Sequence, residues 1–388
     1  MNLAIIKLIK NGLLKTKDSI GQVTDWKSLY FFARKQQILV MLYYGMLESN
    51  ITVPNEIYKN FESDTFMQAA ISCNQVLEIN RILAEFEKNG IEHMALKGSI
   101  LKSFYPKPEM RQMSDSDILI RVEQLEQIAP IMEKLGFTYK LESDHEVIWC
   151  KSGRINIELH KRLIPSYNKD FYIYYGDGWN KAVKEKGKEY SYELKAEDNY
   201  IYLFTHFAKH YRDAGVGIKH IVDLYLMQNQ IKDMDYVIAE LEKLQLDKFY
   251  HNVMYTLKVW FEDAPSNLQS ETITNRIFSG GAYGSAQAHI LSSAVKQAKT
   301  SGSTQKAINK KIRTMLFPSF SIMKEEYSIL KILPFLLPFV WVWRWITALL
   351  FRRDNIRKQS VVAQTLSEES VNAYKDELDI VGLDFNFE

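Results

Sequence analysis

Cysteine is nearly missing from this sequence. Cys73 and Cys150 are the two in 388 residues, too few and too far apart for a disulfide framework or a cysteine-rich zinc site, so a reducing, cytoplasmic setting is expected. An excess of charge of one sign is missing as well. The 49 lysine and arginine residues face 47 aspartate and glutamate residues, for a formal charge of +2. That excludes a global basic field of the kind that gathers nucleic acid. Long apolar runs are also lacking. No window reaches the roughly 20 apolar residues of a membrane span. The nearest approach, residues 332–343, is bracketed by Lys331 and Arg344 and broken by Pro334 and Pro338. The first stretch, MNLAIIKLIKNGLLKTKDSIG, has neither a long apolar core nor a small-residue cleavage site, and reads as a short amphipathic helix rather than an export signal. No internal repeat or low-complexity tract stands out.

What is present is an ordinary globular composition, 46% hydrophobic and 25% charged, in a chain long enough for two or three packed units. Five segments are expected. Residues 1–89 form a helical region, with apolar residues at helical spacing over 26–48 and 57–86 and a stop signal at Asn89-Gly90. Residues 90–195 form an α/β domain. Short strands are expected at 91–96, 115–122, 137–141, 146–151 and 155–160, with a helix over 123–134 and turns at Ser143-Asp144 and Ser152-Gly153. Residues 196–312 return to helical periodicity, with a glycine-rich break at 279–284. Residues 313–352 are rich in Leu, Phe, Trp and Pro. Residues 353–388 are a charged tail: from Gln364 onward seven acidic residues (Glu368, Glu369, Asp376, Glu377, Asp379, Asp384, Glu388) face Lys375 alone. That composition predicts partial disorder.

Three pieces in the α/β segment carry chemistry. Lys97-Gly98-Ser99 sits between a strand and a helical turn, where glycine admits a phosphate to the backbone and the Ser99 hydroxyl can donate to its oxygens. On its own this is also the pattern of any strand-to-helix turn. In Ser114-Asp115-Ser116-Asp117 a strand would aim Asp115 and Asp117 from one face, and two such close carboxylates are tolerated when a divalent cation lies between them. In residues 155–160 the alternation aims Glu158 and His160 together, with Ile157 and Leu159 opposite. Glu158 is then a third carboxylate, completing a metal cluster or accepting a proton. His160 falls at the rim, and a hydrogen-bonded strand histidine is preferred to a metal ligand.

In this order the pieces resemble the nucleotidyltransferase fold of the DNA polymerase β type. The stretch ALKGSILKSFYPKPEMRQMSDSDILI is similar to the bacterial family called uncharacterised nucleotidyltransferases, through Lys97, Gly98, Tyr105, Arg111, Asp115 and Asp117, with Glu158 and His160 at its later acid-x-His step. The resemblance implies an α+β fold: a polymerase β-like domain with a small mixed sheet, set between mainly helical regions. It implies a magnesium-dependent enzyme that moves a nucleoside monophosphate from a triphosphate, most simply ATP, to an acceptor, releasing pyrophosphate. Asp115, Asp117 and Glu158 would be catalytic and hold two Mg2+ ions, with Mn2+ as the alternative. Lys97, Gly98, Ser99 and Arg111 would meet the phosphates. Lys209, His210 and Asp223 would line the rim from the helical domain. The acceptor, whether small molecule, glycan precursor or protein, is not legible.

His206 and His210 stand one helical turn apart, but Phe207-Ala208-Lys209 between them lacks the glutamate of a zinc protease, so a packed face is the better reading. The stretch 329–351, with Trp341, Trp343 and Trp345 and Arg352-Arg353 after it, is expected to pack across the helical domain. Its second reading is a peripheral membrane contact. Two rival functions stand beside the enzyme: a non-catalytic nucleotide-binding module with the same fold, and an RNA-directed nucleotidyltransferase, which the near-neutral charge disfavours.

Overall fold

The structure is a computed structural model and describes residues 1–151, 155–320, 323–324, 327, 329–351 and 366–384. The turn expected at Ser152-Gly153 and the pair Arg352-Arg353 lie outside the described residues. The chain divides into two compact units: residues 1–209 and 216–282 with the chain from Val381 on, and residues 210–215 with 283–380.

The first unit begins with helices. α1 (Asn2–Leu14) and α3 (Leu39–Glu48) pack backbone to backbone, because Gly45 stands against the Leu8 carbonyl where a Cβ would sit 2.0 Å from the oxygen. The helical run expected over 26–48 is not continuous. It breaks between α2 (Trp26–Gln36) and α3, where Gln37 takes φ 58°. The cause is tertiary and invisible to periodicity. The buried Gln36 amide donates to the carbonyls of Ile277 (2.9 Å) and Gly280 (3.1 Å) and accepts from the Ile218 amide (3.1 Å), so three distant backbone groups fix the end of α2.

α4 (Asn55–Lys88) leads into a mixed sheet. Its strands are β1 (His93–Ala95), β2 (Ser116–Ile120), β3 (Thr138–Glu142), β4 (Glu146–Lys151), β5 (Ile155–His160), β6 (Ala182–Lys184) and β7 (Ser191–Leu194), in the order β3-β4-β5-β2-β1-β7-β6. The short α5 (Gly98–Leu101) follows β1, α6 (Leu125–Lys134) follows β2, and α7 (Lys169–Tyr175) precedes β6. The fold is α+β, as expected, but β6 and β7 extend the sheet beyond the strands read from the sequence. β2 lies in the middle, antiparallel to β1 and parallel to β5. Alternation decides what it buries: Ile118 and Ile120 join Ile157, Leu159, Val147 and Trp149 against Ile79, Ile82 and Phe86 of α4 and Ile128 and Met132 of α6. The other face is left for Asp117, Glu158 and His160.

Helices α8 (Ala196–Asp213), α9 (Ile218–Met227), α10 (Met234–Lys243), α11 (Asp247–Phe261) and α12 (Leu268–Ser279) follow. In the second unit, α13 (Ala286–Ser301) and α14 (Thr304–Leu316) precede α15 (Ile329–Ile332), α16 (Leu337–Phe351) and α17 (Glu368–Val381). In the tail, where partial disorder is expected, α17 is helical. Val371, Tyr374, Leu378 and Val381 are buried at helical spacing, so the acidic residues occupy the solvent side of an ordered amphipathic helix. Residues 353–365 and 385–388 lie outside the described residues.

Candidate active site

β1 delivers the chain to Lys97, whose backbone takes φ 44°. A lysine there is strained, and such strain persists where surrounding contacts over-determine the turn. The Leu96 amide donates to the Asp117 carbonyl (3.0 Å), and the Lys97 ammonium reaches the Asp117 carboxylate (2.9 Å). A Cβ at Gly98 would lie 2.6 Å from the Met113 sulfur, so any larger residue there would displace that side chain. The Ser99 hydroxyl is buried without a hydrogen-bond partner among the described residues.

Strand register assembles the carboxylates. Asp117 pairs with Glu158 across the parallel β2–β5 ladder, and Asp115 immediately precedes β2. Asn156 of β5 donates to the Ser114 carbonyl (3.2 Å), holding the approach to Asp115. His160 Nε2 lies 2.7 Å from Asp117 Oδ1 and 3.6 Å from Glu158 Oε2. The ligand atoms of Asp117, Glu158 and His160 lie within 4.8 Å of one another.

The two aspartates are electrostatic opposites. Burial, then the charges of Asp117 and Glu158, push the Asp115 carboxyl up to about 6. Burial works the same way on Asp117, yet the Lys97 ammonium and the His160 ring overcome it and hold that carboxyl well below the usual carboxylate range. His160 is raised in return: burial and Lys97 oppose its charged form, but Asp117 and Glu158 favour it more. One site thus carries a firmly ionised carboxylate and a neighbour that resists ionisation for want of positive charge.

Arg111 and Asp223 come together, but with each other. Arg111 Nε lies 2.7 Å from Asp223 Oδ1, both side chains are buried, and the Tyr105 hydroxyl donates to the same oxygen (2.7 Å). Lys209 is half-buried near the end of α8, and His210 belongs to the second unit. Two residues went unnoticed in the sequence. Tyr202 of α8 is buried, and burial raises its hydroxyl to about 12, with Lys97 opposing and Asp117 and Glu158 adding to the effect. Lys219 of α9 is buried and donates to the Gln37 side chain (2.6 Å). Burial, then Arg111, pull it down to about 7 against Asp223, Asp115 and Asp117. Lys219 precedes Asp223 by one helical turn, the only sequence signal that could have paired them.

Residues 22–262 match the family model described as uncharacterised nucleotidyltransferase, and the chain belongs to that family. The match spans the whole candidate site and the helices from α2 to α11. Among solved structures, the solution structure of the antibiotic-resistance factor ANT(2'')-Ia is similar at 14% sequence identity, covering 50% of this chain and 100% of that one with a TM-score of 0.33. A likeness that loose carries no argument. A search of the curated proteins gives no match.

Proposed function

We propose that the chain transfers a nucleoside monophosphate from a nucleoside triphosphate, ATP first among them, to an acceptor hydroxyl. The acceptor oxygen would form a bond to the α-phosphorus, the bond from that phosphorus to the β-bridging oxygen would break, and pyrophosphate would leave. The observation that carries this reading is the facing register of Asp117 and Glu158 on parallel strands, with Asp115 beside them pushed up to about 6 by their charges.

Three carboxylates are the hard-oxygen donors that Mg2+ takes, and the excess negative charge felt by Asp115 fits the group. Asp115, Asp117 and Glu158 would hold it, with Mn2+ as the substitute. When bound, the ions supply charge neutralisation at the attacking and leaving oxygens. The chain's own residues do the rest. Lys97 and His160 keep Asp117 ionised and oriented, and Glu158 would complete the cluster or accept the acceptor's proton. The Ser99 hydroxyl, without a partner among the described residues, and the Gly98 backbone would offer donors to the triphosphate. Arg111, paired with Asp223, would order the loop before Asp115 more than meet a phosphate.

The test is transfer of label from α-phosphate-labelled triphosphates to material in a cell extract, comparing wild type with Asp115→Ala/Asp117→Ala. Label found on a small molecule, glycan precursor or protein only with the intact carboxylates supports the reading and identifies the acceptor class. Magnesium-dependent triphosphate binding with no transfer would replace it with a non-catalytic nucleotide-binding module, and label on RNA with an RNA-directed enzyme.

We also infer that the second unit makes peripheral contact with an anionic lipid surface. Among the described residues no helix is long and apolar enough to cross a membrane. Yet Ile332, Phe335, Phe339 and Trp343 are exposed, while Trp341 and Trp345 are tied by their ring N–H groups to the carbonyls of Pro318 and Leu316. α14, which ends there, carries exposed Lys306, Lys310 and Arg313 and no acidic residue. An apolar aromatic face beside cations is the pattern of an interfacial helix, and charge selects anionic headgroups as the occupant. Sedimentation with phosphatidylserine vesicles tests this. Binding equal to that on neutral vesicles, or none, would overturn it.

A further inference from the structure

His160 has two ring nitrogens, and the site described so far uses one. Nε2 is committed to Asp117 and Glu158. Nδ1 is buried and has no hydrogen-bond partner among the described residues, although His160 is only 3% exposed. A buried nitrogen without a partner costs free energy unless something is meant to meet it. Across the β4–β5 ladder His160 pairs with Glu146, and His145 precedes that residue. The rings of His145 and His160 are 5.8 Å apart, and His145 Nε2 lies 3.0 Å from Glu146 Oε2. One ligand atom from each of His145, Glu146 and His160 falls within 4.8 Å of the other two.

We propose that His145, Glu146 and His160 form a second metal site, of a chemistry that takes Zn2+, joined to the nucleotidyltransferase carboxylates through the two sides of the His160 imidazole. Two imidazoles and a carboxylate are borderline donors suited to zinc rather than to magnesium, and three protein ligands leave a fourth position for water or another oxygen ligand. Zinc bonds of about 2.0–2.1 Å set tetrahedral ligands about 3.3–3.4 Å apart, so the His145–Glu146 contact of 3.0 Å would open slightly and the remaining ligand atoms, all within 4.8 Å, would draw in around the ion. A metal-bound histidine characteristically donates its other ring N–H to a carboxylate, and His160 meets Asp117 that way. The His145 and Glu146 side chains are 20% and 18% exposed, so an ion can enter from solvent. His160 then acts as a positioning residue whose ring, and with it Asp117, is fixed by zinc on its far side. The proposal does not depend on nucleotide transfer and stands or falls separately.

The experiment is titration of the full chain with Zn2+ against a chromophoric chelator, with millimolar Mg2+ present to fill hard-oxygen sites. One equivalent is expected to bind, weakened at least about a hundredfold in His145→Ala and in Glu146→Gln, and unchanged in Asp115→Asn. Both site variants alter part-exposed side chains, and unchanged thermal unfolding of the metal-free proteins would confirm their fold. Replacement by Co2+ should give the visible absorption of a four-coordinate ion. Absence of zinc binding to the wild type overturns the proposal. So does binding that survives His145→Ala and disappears in Glu158→Gln, which would put the ion among the nucleotidyltransferase carboxylates.

Discussion

Where β2 starts beside β5, charged side chains are buried: Asp117 and His160 are 5% and 3% exposed, with Lys97 against them. Along α15, α16 and the turn between them the reverse holds, with Ile332 at 77%, Phe335 and Phe339 at 70% and Trp343 at 59% exposed. Both departures from ordinary partitioning cost free energy, and each has a different remedy. The Asp117 charge is compensated within the protein by Lys97 and His160, and Arg111 and Asp223 compensate each other, while Asp115 is left short of positive charge. Exposed rings have no compensation within the described residues and gain only when something outside covers them. The first region thus suits the proposed chemistry, which must be held still, and the second the proposed lipid contact.

The largest effect is expected where the buried cluster is opened. Asp117→Asn keeps the side-chain shape but removes the charge that Lys97 and His160 oppose. Transfer of labelled nucleotide should fall by at least about 10²–10³-fold. Activity within a few-fold of wild type would remove Asp117 from the chemistry and make the cluster structural. Next comes the neighbouring pair. Arg111→Ala removes the guanidinium from the buried Asp223 and leaves it the Tyr105 hydroxyl, at a cost of about 3–5 kcal/mol in urea unfolding. Arg111→Lys should recover only part of it, because one ammonium cannot reproduce the guanidinium's fixed donors to Asp223 and the Gln112 carbonyl. A loss near zero would mean that this pair is exposed in solution, and the contrast between the regions would weaken.

How much of this was legible depends on how local the cause is. β4 and β5 were bounded correctly because alternation and turn residues lie within each strand, and the same pattern put Glu158 and His160 on one face. β6 and β7 went unread because three- and four-residue strands in a lysine-rich stretch carry too little alternation to register. Gln36, Tyr202 and Lys219 were missed for another reason: their roles come from partners remote in sequence, and no spacing reports that. Arg111 was noticed for its charge, but the sequence could not say that Asp223 would meet it. In the tail the two local signals diverge: net charge points to partial disorder, while Val371, Tyr374, Leu378 and Val381 make the apolar stripe of a helix.

A smaller effect separates the two aspartates by pH. The folded-state value of Asp115, about 6, lies above its ordinary 3.8, so the folded protein holds the extra proton and this group costs stability as pH rises from 3.8 to about 6. Asp117 is shifted the other way. Its stabilisation is present above 3.8 and is lost as pH falls through its folded value. Asp115→Asn should therefore unfold about 2–4 °C higher than wild type near pH 7.5, with the gap closing toward about pH 4. Mg2+ should raise the wild-type midpoint more near pH 7.5 than near pH 5, since the ion competes with that proton. Equal stabilisation at both values would show that Asp115 does not feel the ion.

The exposed region supplies the smallest single-residue effects, because its contribution is divided among several side chains. Burying one phenylalanine ring in the interface contributes about 1.5–3 kcal/mol at most, so Phe339→Ser should weaken binding to phosphatidylserine vesicles by about tenfold. Removing Lys306, Lys310 and Arg313 together should lose about 1 kcal/mol per charge and flatten the salt dependence. These two losses should be separable: the ring variant keeps its response to salt, while the charge variant keeps its residual partition into neutral vesicles. Neither should alter nucleotide transfer to a soluble acceptor, since the side chains that would perform it lie in the other unit. If Phe339→Ser instead lowered thermal stability by several degrees without changing vesicle binding, the exposed rings would be covered by protein in solution. The two regions would then differ only in which part of the protein compensates them.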